Sequence, residues 1–171
     1  MSKRGGAFVT LEELINEVGP DVARFFFLMK SVDTHIDFDL DLAKEQSEKN
    51  PVFYVQYAYA RICSILRKAQ NNFQFSIFNY QLLNHPSELT LIKQLIRFPE
   101  IVEDTSKDYQ VQRIPQYALD LATSFHQFYR DCKVLTEDRP LSAARLGLIL
   151  ATKTVLKNTL GLMGISAPEK M

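Results

Sequence analysis

Glycine, proline, cysteine and histidine are all sparse in this sequence. Its 171 residues include six glycines, seven prolines, two cysteines and three histidines. So few glycines and prolines exclude fibrous and low-complexity architectures. Cys63 and Cys132 provide neither a disulfide framework nor a zinc-ligand spacing, and their apolar, helical surroundings predict two free, buried thiols in a reducing compartment. His35, His85 and His126 lie far apart in unrelated contexts, so no metal site is expected. No glycine-rich loop leads from a strand into a helix and no His-Glu-x-x-His is present, which removes the dinucleotide and zinc-protease fingerprints. No apolar run approaches 18 residues, so no membrane-spanning segment is predicted. Lys3 and Arg4 are not followed by an apolar signal segment, and the expected location is the cytoplasm.

Net charge is also missing: 20 basic residues balance 20 acidic ones. A neutral protein is poorly suited to non-specific nucleic-acid binding, which needs excess cations. The charge is unevenly spread, however. Residues 51–98 carry five basic side chains and one acidic, and residues 130–171 carry seven basic and four acidic. If the helices formed by these stretches are neighbours, they provide one positive face; otherwise they are ordinary solvated charge.

What remains is an ordinary globular composition, 46% apolar and 23% charged, with helical periodicity through most of the chain. Thr10 and Glu13 form a capping-box pattern ahead of a short helix that should stop at Gly19. Pro20 suits the first turn of the next helix, which runs to about Ser31. Residues 32–41 alternate apolar and acidic residues but have no evident partner strand, so they read as an extended link. Asp39 or Asp41 can cap a short helix ending near Ser47. A long helix is predicted over 51–70, capped by Asn50, with Tyr54, Tyr57 and Arg61 on one face. Residues 71–86 are irregular. Ser87 caps a helix to about Phe98, and Pro99 opens another that ends before Asp108. Long helices are predicted over 115–133 and 142–160, the latter capped by Ser142 and ended by Gly161. The sum is an all-α helical bundle.

No complete acid–base or nucleophilic site emerges. Cys132 lacks an activating base, and His126 reads as a satisfied structural histidine on a neighbouring face.

The N-terminal Met-Ser-Lys-Arg resembles the end of the KMSKS-type loop of class I aminoacyl-tRNA synthetases. Residues 1–11, MSKRGGAFVTL, resemble its arginyl form. Asp21-Val22-Ala23-Arg24 is similar to the Asp-Ala-Leu-Arg motif that opens the helical domain of this class. The run from Arg24 to Ala69 resembles the arginyl family almost continuously, as do FHQFYRDCKVL at 125–135, Arg139, Arg145-Leu146 and the closing LGLMGISAPEKM at 160–171. Tyr59 stands where histidine is common in these enzymes, and Ala7 where asparagine often is. The resemblance spans the chain and is weakest over 70–98. The arginyl family is the better match, since the cysteinyl enzymes share the helical domain but lack the closing sequence.

This resemblance implies that residues 20–171 are an anticodon-binding domain and that residues 1–19 are the remnant of the catalytic loop with its connecting helix. Ser2, Lys3 and Arg4 would belong to the loop that meets the phosphates of ATP, bound with Mg²⁺, as adenylate forms. The parent enzyme would join arginine to tRNA(Arg). This chain is expected to lack the catalytic body, to bind no cofactor itself and to be inactive alone. A non-catalytic protein-interaction module is the alternative class.

Single-stranded loops are read by stacking splayed bases on aromatic or guanidinium planes. Of the tyrosines and arginines on the predicted long helices, the resemblance and the helical spacing favour Tyr57, Arg61, Tyr129, Arg139 and Arg145 as tRNA contacts, with the terminal Met171 beside them. Tyr54 and Tyr117 read as core, and Arg24 as the partner of a nearby acid.

Overall fold

The computed structural model describes residues 10–31, 34–35, 37–69 and 79–171. Among these there are seven α-helices, one 3-10 turn and no strand: α1 (Leu11–Val18), α2 (Pro20–Leu28), α3 (Leu40–Lys44), α4 (Pro51–Ala69), the turn Tyr80–Leu82, α5 (Pro86–Asp108), α6 (Arg113–Asp131) and α7 (Arg139–Leu162). No described helix is long and apolar enough to cross a membrane. Ser2, Lys3 and Arg4 lie outside the described residues, as do parts of the 32–41 link and of the irregular segment after Ala69.

Local chemistry sets the helix ends. The Thr10 hydroxyl accepts from Glu13 N at 3.1 Å while the Glu13 carboxylate accepts from Thr10 N at 2.7 Å, completing the capping box. Gly19 ends α1 at φ +84°, a conformation that few side chains tolerate. Asn50 Oδ1 accepts from Val52 N at 3.0 Å and so caps α4, as its sequence position predicts.

Three boundaries differ from the sequence reading. First, α5 is one helix through Pro99 rather than two, and its cap is His85, not Ser87. His85 Nδ1 accepts from Ser87 N at 3.2 Å, and the Glu88 carboxylate accepts from His85 N at 2.8 Å. Pro99 is exposed, and packing of both flanking segments against the bundle outweighs its broken backbone bond. Second, α7 begins at Arg139, because Asp138 Oδ1 takes up Leu141 N at 3.0 Å. Ser142 is buried instead, and its hydroxyl accepts from Thr136 N at 2.8 Å. Third, α7 passes through Gly161 and stops just before Gly164, where φ is +64°.

The core lies between α4, α6 and α7, with α5 along α6 and α2 against α4. Phe25, Tyr59, Ile62, Leu121, Phe125, Phe128, Leu146 and Leu156 are among its fully buried side chains. Tyr117 is also buried, and its hydroxyl donates to the Gln94 carbonyl at 2.8 Å, as a buried phenol requires. Burial raises the Tyr117 pKa above the ordinary tyrosine value. Tyr59 likewise belongs to the core.

Residues 163–171 form a strap back across the bundle. Asp21 accepts from Ser166 N at 3.2 Å and from Gln56 Nε2 at 3.1 Å. Arg24 donates to the Gly164 carbonyl rather than pairing with an acid. Farther along the strap, Arg67 donates to the Glu169 carbonyl at 3.3 Å, and Lys153 pairs with the Glu169 carboxylate at 3.2 Å. The two charged ends of the Asp21–Arg24 tetrapeptide therefore hold the strap against α2.

Candidate nucleic-acid interface

Tyr57 and Arg61 lie on one face of α4, and His126 and Tyr129 on one face of α6. Spacings of three and four residues stack each pair on a single helical face. Because α4 and α6 pack side by side, the four side chains meet in one cleft of about 620 Å³, whose lining also includes Phe53 and Glu48.

Arg61 occupies the centre of this group. Its guanidinium carbon lies 4.7 Å from the Tyr57 ring centroid and 4.9 Å from that of Tyr129. Both are cation–π contacts. Arg61 also donates to the Tyr57 hydroxyl. The two tyrosines are 37% and 39% exposed, so each is partly open to solvent and partly packed on the bundle. Behind them the aromatic stack continues: Phe53 lies parallel to Tyr57 with centroids 6.1 Å apart, and Phe125 backs Tyr129 at 6.1 Å. Such a wall needs little side-chain ordering when a flat ligand arrives.

His126 sits deeper in the cleft, with its ring 4.8 Å from Tyr54 and 6.1 Å from Tyr57. Its Nε2 is buried without a hydrogen-bond partner, so the expected satisfied histidine is not what the structure contains. Burial, and next the Arg61 cation, push its pKa below the ordinary 6.5, while a hydrogen bond with the Tyr54 backbone works the other way. The i, i+3 spacing of His126 and Tyr129 was the available sequence signal, but it is a weak one. Tyr54 is half-buried and its hydroxyl donates to Thr123 at 3.3 Å, bridging α4 and α6.

The remaining predicted contacts lie elsewhere. Arg145 is in the second turn of α7, and its Nε bonds to Glu88 Oε1 at 2.6 Å. Its side chain is 12% exposed and that of Glu88 1%, so the pair is internal. Arg145 Nη1 also donates to the Lys133 carbonyl at 2.8 Å. The prediction that Arg145 is a first-turn surface cation fails because α7 starts four residues earlier than the Ser142 cap implied. Arg139 is exposed at the start of α7. Met171 is 54% exposed. The strap leading to it follows the Gln56–Arg67 side of α4, which is about 100° around the helix from Tyr57. Cys132 is buried near Glu88 and Arg145, and burial raises its thiol pKa. A buried thiol of raised pKa is a poor nucleophile.

A family model described as the DALR anticodon binding domain matches residues 55–171. Arginine–tRNA ligase from Symbiobacterium thermophilum is 54% identical over 175 residues, covering 100% of this chain and 31% of that protein. Arginine–tRNA ligase from Salinibacter ruber is 51% identical over 173 residues, with the same two coverages. The fold is similar to that of Thermus thermophilus arginyl-tRNA synthetase, with a TM-score of 0.79, 31% sequence identity, and 98% of this chain and 29% of that one covered. The chain thus spans about a third of the length of the relatives it matches.

Proposed function

The chain belongs to the DALR anticodon-binding domain family, and on that footing we propose that it binds the anticodon loop of tRNA(Arg) as the helical part of an arginine–tRNA ligase. The observation that carries this reading to particular residues is the placement of the Arg61 guanidinium over both Tyr57 and Tyr129 in the α4–α6 cleft. Aromatic faces and a cation are the groups that take up unstacked bases and their phosphates. Tyr57, Arg61 and Tyr129 form the contact surface. Arg139 and Met171 contribute at its margins if the loop extends beyond the cleft. Arg145 holds α7 to α5 and takes no part in binding.

In the longer enzyme, residues 20–171 constitute the RNA-binding unit and residues 1–19 go with the catalytic body. Ser2, Lys3 and Arg4 serve the loop that meets ATP and its Mg²⁺ during adenylate formation, and arginine is then transferred to the tRNA. The 171-residue chain on its own catalyses neither step.

Fluorescence anisotropy with labelled tRNA(Arg) transcripts tests the RNA-binding reading. Tyr57→Ala and Tyr129→Ala should each weaken cognate binding by about 1–3 kcal/mol, the contribution of one stacked base. They should also narrow the gap between cognate and anticodon-swapped transcripts. Equal binding of cognate and swapped transcripts by the unmutated chain would refute the reading.

A further inference from the structure

The side of the bundle between α5 and α7 is left open. Buried residues reach into the last turns of α4, α6 and α7, at Ala69, Phe128 and Leu160, whereas α5 buries nothing after Leu91. Beyond that point Phe98 and Val102 are only half-covered. With Lys157, Asn158, Gly161 and Leu162 of α7 they line an open groove of about 550 Å³. Leu162 is 56% exposed, and Lys157 has no ion-pair partner among the described residues. Two residues at this end are ones that the domain itself does not require. Gly161 lies within α7, and a Cβ there would meet nothing within 4 Å, so most side chains would fit and would favour the helix more. Tyr109, which ends α5 two turns beyond Val102, is the reverse case. It sits at φ +58°, a left-handed position normally given to glycine or asparagine, and is 79% exposed. A bare stretch of backbone allows another chain to come close. A strained residue with an exposed aromatic ring is the kind of anchor that interfaces use.

We propose that this groove is the seat of the catalytic body of the longer ligase, which sets an apolar side chain against the Gly161 backbone and a carboxylate against Lys157. The proposal rests on the reading of the chain as the helical part of an arginine–tRNA ligase. The chain covers 31% of each of the two relatives, so in that reading most of the enzyme lies outside it. The groove is at the end of the domain where that body is joined. Gly164, three residues after Gly161, accepts from Arg24 of α2. In turn, α2 follows directly on α1, which goes with the body. An exposed apolar patch in that place suits a contact between two domains of one chain. The anticodon surface is separate: Tyr57, Arg61 and Tyr129 line the α4–α6 cleft, and none of them borders this groove.

Amide hydrogen exchange, read by mass spectrometry, compares the 171-residue chain with the longer ligase that contains it. Peptides covering 98–112 and 157–163 should exchange about tenfold more slowly in the longer ligase, while peptides over Tyr57 and Tyr129 exchange alike in both. Gly161→Leu supplies a second arm. In the 171-residue chain it should leave the melting temperature unchanged or raise it by about 2 °C, because a better helix former replaces glycine in open space. In the longer ligase the same side chain fills the groove, and the added protection of 98–112 should be lost. Equal exchange in the two unmutated proteins overturns the proposal, as does a Gly161→Leu ligase that keeps the full protection. Protection of the 171-residue chain that rises with its concentration would seat a second copy in the groove, which also overturns it. If the Gly161→Leu chain melts lower, the glycine serves the domain itself and the exchange of the unmutated proteins decides. Anisotropy with tRNA(Arg) on the same preparations keeps the two readings apart. A chain that does not discriminate anticodons defeats the anticodon reading and leaves the exchange result standing. Equal exchange with discrimination intact defeats this proposal alone.

Discussion

Replacing Arg145 with alanine separates two physical roles for one cation. In the structure Arg145 neutralises Glu88, whose side chain is 1% exposed, through a 2.6 Å bond. Removing the arginine leaves a carboxylate sealed from water with no counter-charge, and breaking a buried pair in this way costs about 3–5 kcal/mol. The bond from Arg145 Nη1 to the Lys133 carbonyl is lost as well, adding about 1 kcal/mol. Against a total stability of about 5–15 kcal/mol, that is a large fraction. For a domain of this size, each 1 kcal/mol shifts the melting temperature by about 2–4 °C, so a drop of roughly 8–24 °C is expected. Circular dichroism melts and urea titrations at neutral pH measure it. The double variant Glu88→Leu/Arg145→Leu should regain much of the loss, because no unpaired charge remains. A folded Arg145→Ala with an unchanged melting temperature but a tRNA affinity whose salt dependence is flatter by about one unit of slope would refute the structural role and make Arg145 a phosphate contact.

Three further outcomes concern Gly164, Tyr117 and His126. Gly164→Ala should destabilise by about 1–2 kcal/mol in urea titration, because φ is +64° and a new Cβ would lie 3.1 Å from the Arg24 guanidinium. Tyr117→Phe should cost about 1 kcal/mol in the same assay by removing the hydrogen bond from its buried hydroxyl to the Gln94 carbonyl. His126 has a folded-state pKa below its unfolded value of 6.5, so the unfolded chain binds the proton more readily. Its contribution to stability is therefore intact above about pH 6.5 and is lost as pH falls through 6.5 toward the lower folded pKa. Across that window the urea midpoint of the parent should fall relative to that of His126→Phe as the pH is lowered, and a constant difference would exclude the histidine as the cause.

The helical class and the positions of α4 and α6 were legible because caps, periodicity and chain length agree there. Asn50 before Pro51 and the apolar repeat through Leu66 all indicate one helix. Pro99 was misleading, since a proline read locally marks a helix start, whereas the packing that carries α5 through it is tertiary. Ser142 was a plausible cap until Asp138 took that role, and this four-residue difference moved Arg145 from a helix terminus to the interior. Tyr57 and Arg61 were legible as a pair from their spacing on α4. Their meeting with Tyr129 depends on how α4 and α6 are rotated against each other, which no local pattern records. The unpartnered nitrogen of His126 has the same origin: solvation and bonding of one atom are properties of the assembled bundle.

The strap across α2 also bears on how the chain folds during synthesis. Asp21 takes one bond from Gln56 on α4, but its remaining bonds come from Ser166, a residue 145 positions downstream. Closing a loop of that length is costly in chain entropy before any bond repays it. At a ribosomal rate of about 5–20 residues per second, α2 therefore waits on the order of ten seconds for the strap that completes its cover. During that interval Phe25 and its neighbours on α2 have only part of their final cover, and a nascent chain stalled before Gly164 would be a natural client for a chaperone that binds exposed apolar helix faces.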